Sequence, residues 1–213
     1  MVPGRANRRA ATLGGSAMRT VTYGGACSLD GFIAAADGAL DWLHFSRDVQ
    51  QLIAEYWATI DTVLMGRKTW EVAAAQGGGG GGGGGGASAI TTYVFSRTLR
   101  EVPAGARLVA SDAGDFVRQL KRQPGKGICV MGGGELACSL LEAGVIDEVG
   151  LNVHPVLLGS GVPLFRDAGR RIALELTESR VIDGGCVYSM YRVLHADPAP
   201  RRRTRGARAR NKA

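Results

Sequence analysis

The sequence lacks the patterns of a membrane protein and of a disulfide-bonded scaffold. No uninterrupted apolar run approaches the roughly 18 residues of a membrane span. Residues 10–13 are too short and too weakly apolar for a secretory signal. The four cysteines lie far apart and form no C-x-x-C pair. We therefore expect free, buried thiols in a reducing compartment, and a cytoplasmic protein.

Metal-binding signatures are missing as well. The histidines follow no metal-ligand spacing. The chain also lacks the H-x-E and P-C-x-x-C motifs with which zinc deaminases hold their metal and move a proton, so deamination is excluded. We expect no metal site. The histidines are His44, His154 and His195.

The net charge of +7 is carried by the two ends of the chain. Residues 1–18 contribute +3 and residues 195–213 contribute +6, so the remainder carries −2. A basic tail can contact nucleic acid. This one has no aromatic side chain for base stacking, which favours a solvated, disordered extension. We expect an N-terminal extension at residues 1–18, a folded domain at residues 19–194, and a disordered basic tail from residue 195.

Ten consecutive glycines interrupt the predicted domain at residues 77–86. Glycine loses more backbone entropy on ordering than any other residue, and it has no side chain to bury. The run therefore predicts a flexible surface loop between a helix and the following strand. A tolerated low-complexity expansion explains it better than a role at an active site.

Apolar periodicity predicts an alternation of strands and helices in the domain. Ser46 is a suitable N-cap, because the apolar residues after it recur on one helical face. The last two strands are separated by the hairpin-like segment Asp183-Gly184-Gly185. The predicted fold class is α/β: a three-layer domain with a mixed, mostly parallel central sheet and a C-terminal antiparallel hairpin. The predicted strands are residues 20–27, 32–34, 62–65, 91–96, 107–110, 127–131, 148–153, 172–182 and 186–193, and the predicted helices are residues 46–57, 67–75, 113–122 and 134–143.

A glycine-rich turn follows the apolar strand predicted at residues 127–131. Gly132, Gly133 and Gly134 open directly into a helix, where backbone N–H groups and the helix dipole favour an anion such as a pyrophosphate. Together with Ala137 they match the G-x-G-x-x-A spacing of a dinucleotide-binding turn. A close-packed strand-to-helix turn explains the same residues equally well, so the motif alone leaves both interpretations open.

Two further strand ends carry side chains suited to phosphate. Gly66-Arg67-Lys68-Thr69 places two cations in the first turn of a helix, where the helix dipole opposes them unless an anion is bound. Ser96-Arg97-Thr98 ends another strand with two hydroxyls and an arginine. Solvated side chains on exposed turns are the alternative interpretation. Because the ligands of α/β sheets collect at strand carboxyl ends, three such ends together favour a phosphate-bearing ligand.

These segments also resemble a known family. The order of SLDGFIA at residues 28–34, GRKT at 66–69, FSR at 95–97 and GGG at 132–134 is similar to that of the dihydrofolate-reductase superfamily. Residues 140–161, which include LLEAGVIDE and HPVLLGSG, resemble the C-terminal reductase domain of the riboflavin-biosynthesis deaminase/reductase. The resemblance covers about residues 19–194 and identifies that span as a reductase domain.

The resemblance implies a dihydrofolate-reductase-like fold and an NADPH-dependent oxidoreductase. The implied reaction is hydride transfer to a C=N or C=O group of a heterocyclic or ribityl-type substrate, with 5-amino-6-(5-phosphoribosylamino)uracil as the first choice. Dihydrofolate reduction is the alternative, and a non-catalytic NADPH-binding or nucleic-acid-associated module is the alternative from another class. A homodimer is implied too. The implied cofactor-binding residues are Ala26 and Ile33, which would flank the nicotinamide, and Gly66, Arg67, Lys68, Thr69, Ser96, Arg97, Thr98, Gly132, Gly133, Gly134, Glu135 and Leu136.

Two carboxylates are the candidate catalytic residues. Folate reductases hold the pterin with a carboxylate shortly after a tryptophan, at the start of the first helix. Here Arg47 stands near that place, and the neighbouring Asp48 is turned by about 100° around the helix. Asp30, at the mouth of the predicted sheet, is a candidate to position substrate or relay a proton. Ordinary Asp-Gly turn chemistry is the alternative for Asp30.

Overall fold

The structure is a computed structural model, and it describes five stretches of the chain. The predicted N-terminal extension and basic tail lie outside them, apart from Met18 and His195, and so does the predicted glycine loop at residues 77–86. Within the described stretches, no helix has the length and apolar character needed to cross a membrane. The stretches are residues 18–75, 90–103, 105–132, 134–167 and 169–195.

Strands and helices alternate through most of the described chain, and two long strands follow at its end. The strands are β1 (Val21–Ser28), β2 (Phe32–Ala34), β3 (Ile60–Gly66), β4 (Thr91–Phe95), β5 (Ala106–Val109), β6 (Gly127–Met131), β7 (Glu148–His154), β8 (Val162–Pro163), β9 (Ala173–Ile182) and β10 (Cys186–Leu194). The helices are α1 (Arg47–Ala58), α2 (Arg67–Ala75), α3 (Ala113–Lys121) and α4 (Gly134–Glu142).

Eight of the strands form one sheet in the order β5-β4-β3-β6-β1-β7-β10-β9. The strands from β5 to β7 in this order run parallel, whereas β10 pairs antiparallel with both β7 and β9. The predicted α/β fold with a mixed, mostly parallel sheet and a C-terminal antiparallel hairpin is therefore confirmed. Since the parallel strands share a direction, their carboxyl ends lie along one edge of the sheet.

The element boundaries agree closely with the sequence-based predictions. The bounds of α2, β2 and β6 are as predicted, and the others differ by one or two residues, apart from β8. The sequence analysis missed β8, a two-residue strand that pairs antiparallel with β2 in a small second sheet. A two-residue strand that contains a proline has no periodicity to detect, because its pairing depends on a distant partner.

The sheet is covered by helices on both faces, as the three-layer prediction requires. On one face, α3 and α4 supply Val117 and Leu140 to a core built on Tyr23 and Val130. On the other face, α2 buries Trp70 against β3 and β4, and α1 packs beside it. Leu140 is fully buried, which stabilises the fold by about 1.5–3 kcal/mol relative to an exposed leucine.

Helix α1 begins where its N-cap predicts. The hydroxyl of Ser46 accepts a hydrogen bond from the N–H of Val49 at 3.3 Å, a cap that contributes about 1 kcal/mol. The buried side chain of Val49 packs against Ile182 and Cys186 of the terminal hairpin. The cap and this contact place the apolar face of α1 over the antiparallel side of the sheet.

Candidate active site

The three phosphate-suited segments meet at the carboxyl edge of the sheet. β3 pairs with β4 on one side and with β6 on the other, so the segments after these strands are neighbours. Helix α2 starts directly after β3, and α4 starts at Gly134 just after β6. A Cβ built on Gly66 would lie 4.0 Å from the Cβ of Leu136 in α4. The N-termini of α2 and α4 therefore lie on one surface, which we call the phosphate-suited surface. Both helices direct free backbone N–H groups and positive partial charge towards it.

The glycine turn packs tightly against the first turn of α2. Gly132 has φ +62°, a left-handed conformation that favours glycine. A Cβ on Gly132 would lie 2.6 Å from both the Oγ1 and Cγ2 atoms of Thr69. Gly134 is buried, and its Cβ would lie 3.0 Å from the side chain of Arg166. Close packing therefore requires glycine at Gly132, while Gly133 lies outside the described residues.

Three cations surround this surface. Arg67 is partly exposed and donates to Glu71 one helical turn later, with 2.9 Å between Nη1 and Oε1. Lys68 and Arg97 are exposed, and no described carboxylate lies within ion-pair distance of either. Cations at helix N-termini disfavour the empty site and favour an anion, so the surface is suited to a phosphate-bearing ligand.

The remaining predicted cofactor residues have local structural roles. The hydroxyl of Ser96 accepts from the backbone N–H of Thr98 at 3.2 Å and shapes the turn after β4. Glu135 pairs with Arg166 at 3.1 Å on the surface. The Leu136 side chain is buried in the core, so only its backbone N–H is available to a ligand.

A cavity of about 350 Å³ lies between α1 and the sheet and reaches the glycine turn. Its floor is formed by side chains and glycines from β6, β1, β7 and β10, and its wall by one face of α1. Ala26, Ile33 and Gly132 line the end nearest the phosphate-suited surface. Its other lining residues are Thr22, Gly24, Gly25, Leu43, Phe45, Val49, Leu52, Ile53, Tyr56, Trp57, Cys129, Met131, Gly150, Leu151, Asn152, His154, Leu164, Tyr188 and Met190.

The cavity contains no carboxylate among the described residues that line it. The predicted catalytic residue Asp48 is exposed on the first turn of α1 and does not line the cavity, whereas its neighbour Val49 does. Because successive side chains diverge by about 100° around a helix, only one of the two can face inward. The position of Asp48 therefore does not support the predicted catalytic contact.

Asp30 joins two loops and also lies outside the cavity lining. Its carboxylate accepts from the hydroxyl of Ser28 at 2.5 Å and from the backbone N–H groups of Leu158 and Gly159 at 3.2 and 2.8 Å. These donors, Ser28 first, lower the pKa of Asp30 below its usual value. The carboxylate is thus held in its ionised form, which suits a structural anchor and not a proton donor.

Sequence reasoning missed the polar group at the end of β7. His154 is buried, its Nδ1 accepts the backbone N–H of His44 at 3.2 Å, and the Sγ of Cys186 lies 3.4 Å from the same nitrogen. The Nδ2 of Asn152 lies 3.2 Å from the Nε2 of His154. Burial first, and then the proximity of His44, lower the pKa of His154. The sequence signals were the family resemblance of the HPVLLGSG segment, which begins at His154, and the alternation of Asn152 and His154 along one strand face.

Comparison with known proteins assigns the chain to a family. The family model for the RibD C-terminal domain matches residues 19–188. The curated protein YyaP of Bacillus subtilis (strain 168) is 33% identical over 172 residues, which cover 78% of this chain and 90% of YyaP. YyaP is itself uncharacterised.

Solved structures agree with this assignment at the level of the fold. A crystal structure from Shewanella sp. PV-4, assigned to riboflavin biosynthesis, has a TM-score of 0.67 and 26% identity, and the match covers 83% of this chain and 99% of the other. Dihydrofolate reductase from Enterococcus faecalis, complexed with NADP(H), has a TM-score of 0.59 and 16% identity, with 82% and 96% covered. The fold is thus dihydrofolate-reductase-like.

Proposed function

The chain belongs to the RibD C-terminal domain family, and from that premise we propose that it is an NADPH-dependent oxidoreductase. It transfers hydride to the carbon of a C=N or C=O group in a heterocyclic substrate. One observation carries the proposal: the phosphate-suited surface and the apolar cavity meet at Gly132, which belongs to both. A dinucleotide held on that surface would present its reactive ring to the cavity.

The residues of the carboxyl edge fit the phosphates of NADPH. The N–H groups at the start of α4, next to Gly132, suit the pyrophosphate. Arg67 and Lys68 suit the 2′-phosphate that distinguishes NADPH from NADH, and Arg97 lies on the neighbouring strand end. The helix dipole opposes cations in the first turn of α2 when no anion is bound, which supports an anionic ligand at Arg67 and Lys68.

The cavity would orient the nicotinamide and the substrate ring and shield them from water. Ala26 and Ile33 would flank the nicotinamide, and the apolar face of α1 would hold the substrate ring against the sheet. NADPH, when bound, would supply the hydride, and the electron pair of the substrate double bond would move to its oxygen or nitrogen. That atom would also take up a proton, which no described carboxylate of the cavity lining can supply.

Dihydrofolate reduction is the weaker candidate. A pterin requires a carboxylate to hold it and to assist its protonation, and neither Asp30 nor Asp48 lines the cavity. The first compound to test is the one implied by the family resemblance, 5-amino-6-(5-phosphoribosylamino)uracil.

The test of this function is isotope transfer from cofactor to product. The full chain is incubated with NADPH deuterated at the hydride position and, in parallel, with the pyrimidine substrate, with its unphosphorylated form and with dihydrofolate. We expect deuterium in the reduced product of a pyrimidine compound. Consumption of NADPH without deuterium in any product, or no consumption despite tight NADPH binding, would contradict the proposed reaction.

A homodimer is proposed as the assembled form. Five large apolar side chains are exposed on the terminal hairpin: Leu174, Leu176 and Leu194 lie near one end, and Val181 is paired with Val187 near the other. Val181 is 82% exposed, and β9 is an edge strand of the described sheet. Light scattering on the full chain is expected to give twice the chain mass, and Val181→Arg is expected to give monomers. A monomeric wild type at micromolar concentration would contradict the proposal.

A further inference from the structure

In the part of the chain that the structure describes, no charged side chain lines the cavity to neutralise a phosphate. Among the described residues that line it there is no Asp, Glu, Lys or Arg. The internal stretches outside the described residues, 76–89, 104, 133 and 168, contain only glycine, alanine, serine and glutamine in the sequence. They therefore add no charge to the cavity.

The ionisable groups that do line the cavity are held neutral. His154 cannot take a second proton on Nδ1 while that atom accepts the N–H of His44, and burial lowers its pKa. Burial raises the pKa of Tyr56, Tyr188 and Cys129 above their ordinary values, so all three groups stay protonated at neutral pH. The cavity thus offers hydrogen-bonding groups without net charge.

Besides Arg67 and Lys68, which the proposed function assigns to the cofactor, the described residues place Arg180 beside the lining. The guanidinium of Arg180 lies over the ring of Tyr188, 5.1 Å from the ring centroid. It is already paired with Glu178 at 2.8 Å between Nε and Oε1. Its charge is therefore locally compensated, and the pair adds little attraction for an anion.

The shape of the cavity suits a flat ring. Gly24 and Gly150 face each other on β1 and β7 and remove side chains from the middle of the floor. The opposite wall is an apolar surface that includes Leu52, Ile53 and Trp57 of α1. A planar molecule fits between these surfaces and buries both of its faces.

We infer that the cavity accepts a planar ring compound that is uncharged and carries no phosphate, with neutral hydrogen-bonding groups as its polar atoms. This inference rests on the proposed function for the identity of the reaction, but it concerns the substrate class. An anion that enters without a cation loses its hydration and gains no partner. Carbonyl and N–H groups instead find partners in Asn152, Tyr56 and Tyr188. The chain therefore differs in substrate from the phosphoribosyl-specific reductases that it resembles.

The test is equilibrium binding of two matched pairs of compounds, measured by calorimetry with and without saturating NADP⁺. One pair is the ribosylaminouracil with and without its 5′-phosphate, and the other is 2-naphthol and 2-naphthyl phosphate. We expect the uncharged member of at least one pair to bind, and its phosphate to bind at least about tenfold more weakly. Tighter binding of either phosphate, or no binding of any of the four compounds, would overturn the inference.

A second experiment introduces a positive charge into the wall of the cavity. Leu52→Lys places a cation in the cavity lining, and Gln51→Lys places the same charge on an exposed position of the same helix. We expect Leu52→Lys to shift the preference towards the phosphate member, while Gln51→Lys leaves it unchanged. A phosphate preference that is already present in the wild type and is insensitive to Leu52→Lys would contradict the uncharged cavity.

Failure of the inference and failure of the proposed function give different results. If NADPH binds and deuterium is transferred only to a phosphorylated compound, the reductase function stands and the substrate class is wrong. If the uncharged compounds bind in the cavity but NADPH does not bind, the substrate class stands and the cofactor assignment is wrong.

Discussion

Gly24 of β1 and Gly150 of β7 approach so closely that a Cβ on Gly24 would lie 1.7 Å from the carbonyl oxygen of Gly150. The two residues are paired in the parallel ladder, and both line the cavity. Gly24 also has φ +151°, a conformation that other residues rarely adopt. The floor of the cavity therefore depends on a backbone-to-backbone contact that only glycine allows at this position.

The two glycines are expected to respond differently to substitution. Gly24→Ala meets a rigid backbone atom and a strained φ, so we expect a loss of about 3 kcal/mol or more in the free energy of unfolding. Gly150→Ala meets the Cε of Met190 at 3.1 Å, the end of a flexible side chain that can move. We expect that variant to fold, with a loss of about 1 kcal/mol and weaker ligand binding. Urea denaturation measures both losses, and equal losses would contradict the contact.

Gly132→Ala tests the glycine turn. The new Cβ would displace Thr69 and shift the start of α2 relative to α4, so we expect NADPH affinity to fall by at least about tenfold with the fold retained. Gly169→Ala is the matched control, because Gly169 has the same φ of +62° and open space around it. Calorimetric titration of both variants with NADPH gives the comparison. An equal effect of the two substitutions would show that the turn contributes only backbone strain.

We expect Asp30 to stabilise a loop and Asp48 to have no role in the reaction. Asp30→Asn loses the ionised acceptor for Leu158 and Gly159, so the loop after β7 loosens, and we expect a lower melting temperature and a higher KM. Asp48→Asn is expected to leave kcat and KM unchanged, because Asp48 is outside the cavity lining. Steady-state kinetics across pH check both variants. If either substitution removes the acidic or the basic decline of the pH–rate profile, that carboxylate takes part in proton transfer.

The buried His154 predicts a loss of stability on the acid side of neutrality. An unfolded histidine titrates near pH 6.5, whereas the folded ring has a lowered pKa. As the pH falls below about 6.5, the unfolded state therefore takes up a proton that the folded state resists, and the free energy of unfolding decreases until the lowered folded pKa is reached. The wild type should therefore melt at a higher temperature than His154→Gln by a margin that decreases as the pH is lowered from about 8 to about 5. A constant difference would contradict a neutral, buried His154.

The fold was predictable from the sequence because its signals are local. The N-cap Ser46 and the apolar face after it specify α1, and the strand-to-glycine-to-helix order specifies β6 and α4. The candidate site was proposed from the sequence only where consecutive residues form it, as in Gly66-Arg67-Lys68-Thr69, and cofactor binding by these residues stays a prediction. The role of Asp30 was not predictable, since its partners Leu158 and Gly159 lie about 130 residues away along the chain. The cavity was missed for the same reason, because its floor and wall come from elements far apart in the sequence.

Titration of the full chain with NADPH and with NADH tests the central claim most directly. The account predicts that NADPH binds at least about tenfold more tightly than NADH, because Arg67 and Lys68 meet the 2′-phosphate. Arg67→Ala should remove most of that preference while leaving NADH binding unchanged. Arg192→Ala is the control, since Arg192 forms a similar exposed ion pair with Glu175 and is paired with the first residue of β7, at the opposite edge of the sheet. Equal affinities for NADPH and NADH in the wild type, or an Arg67→Ala variant that keeps the full preference, would contradict it.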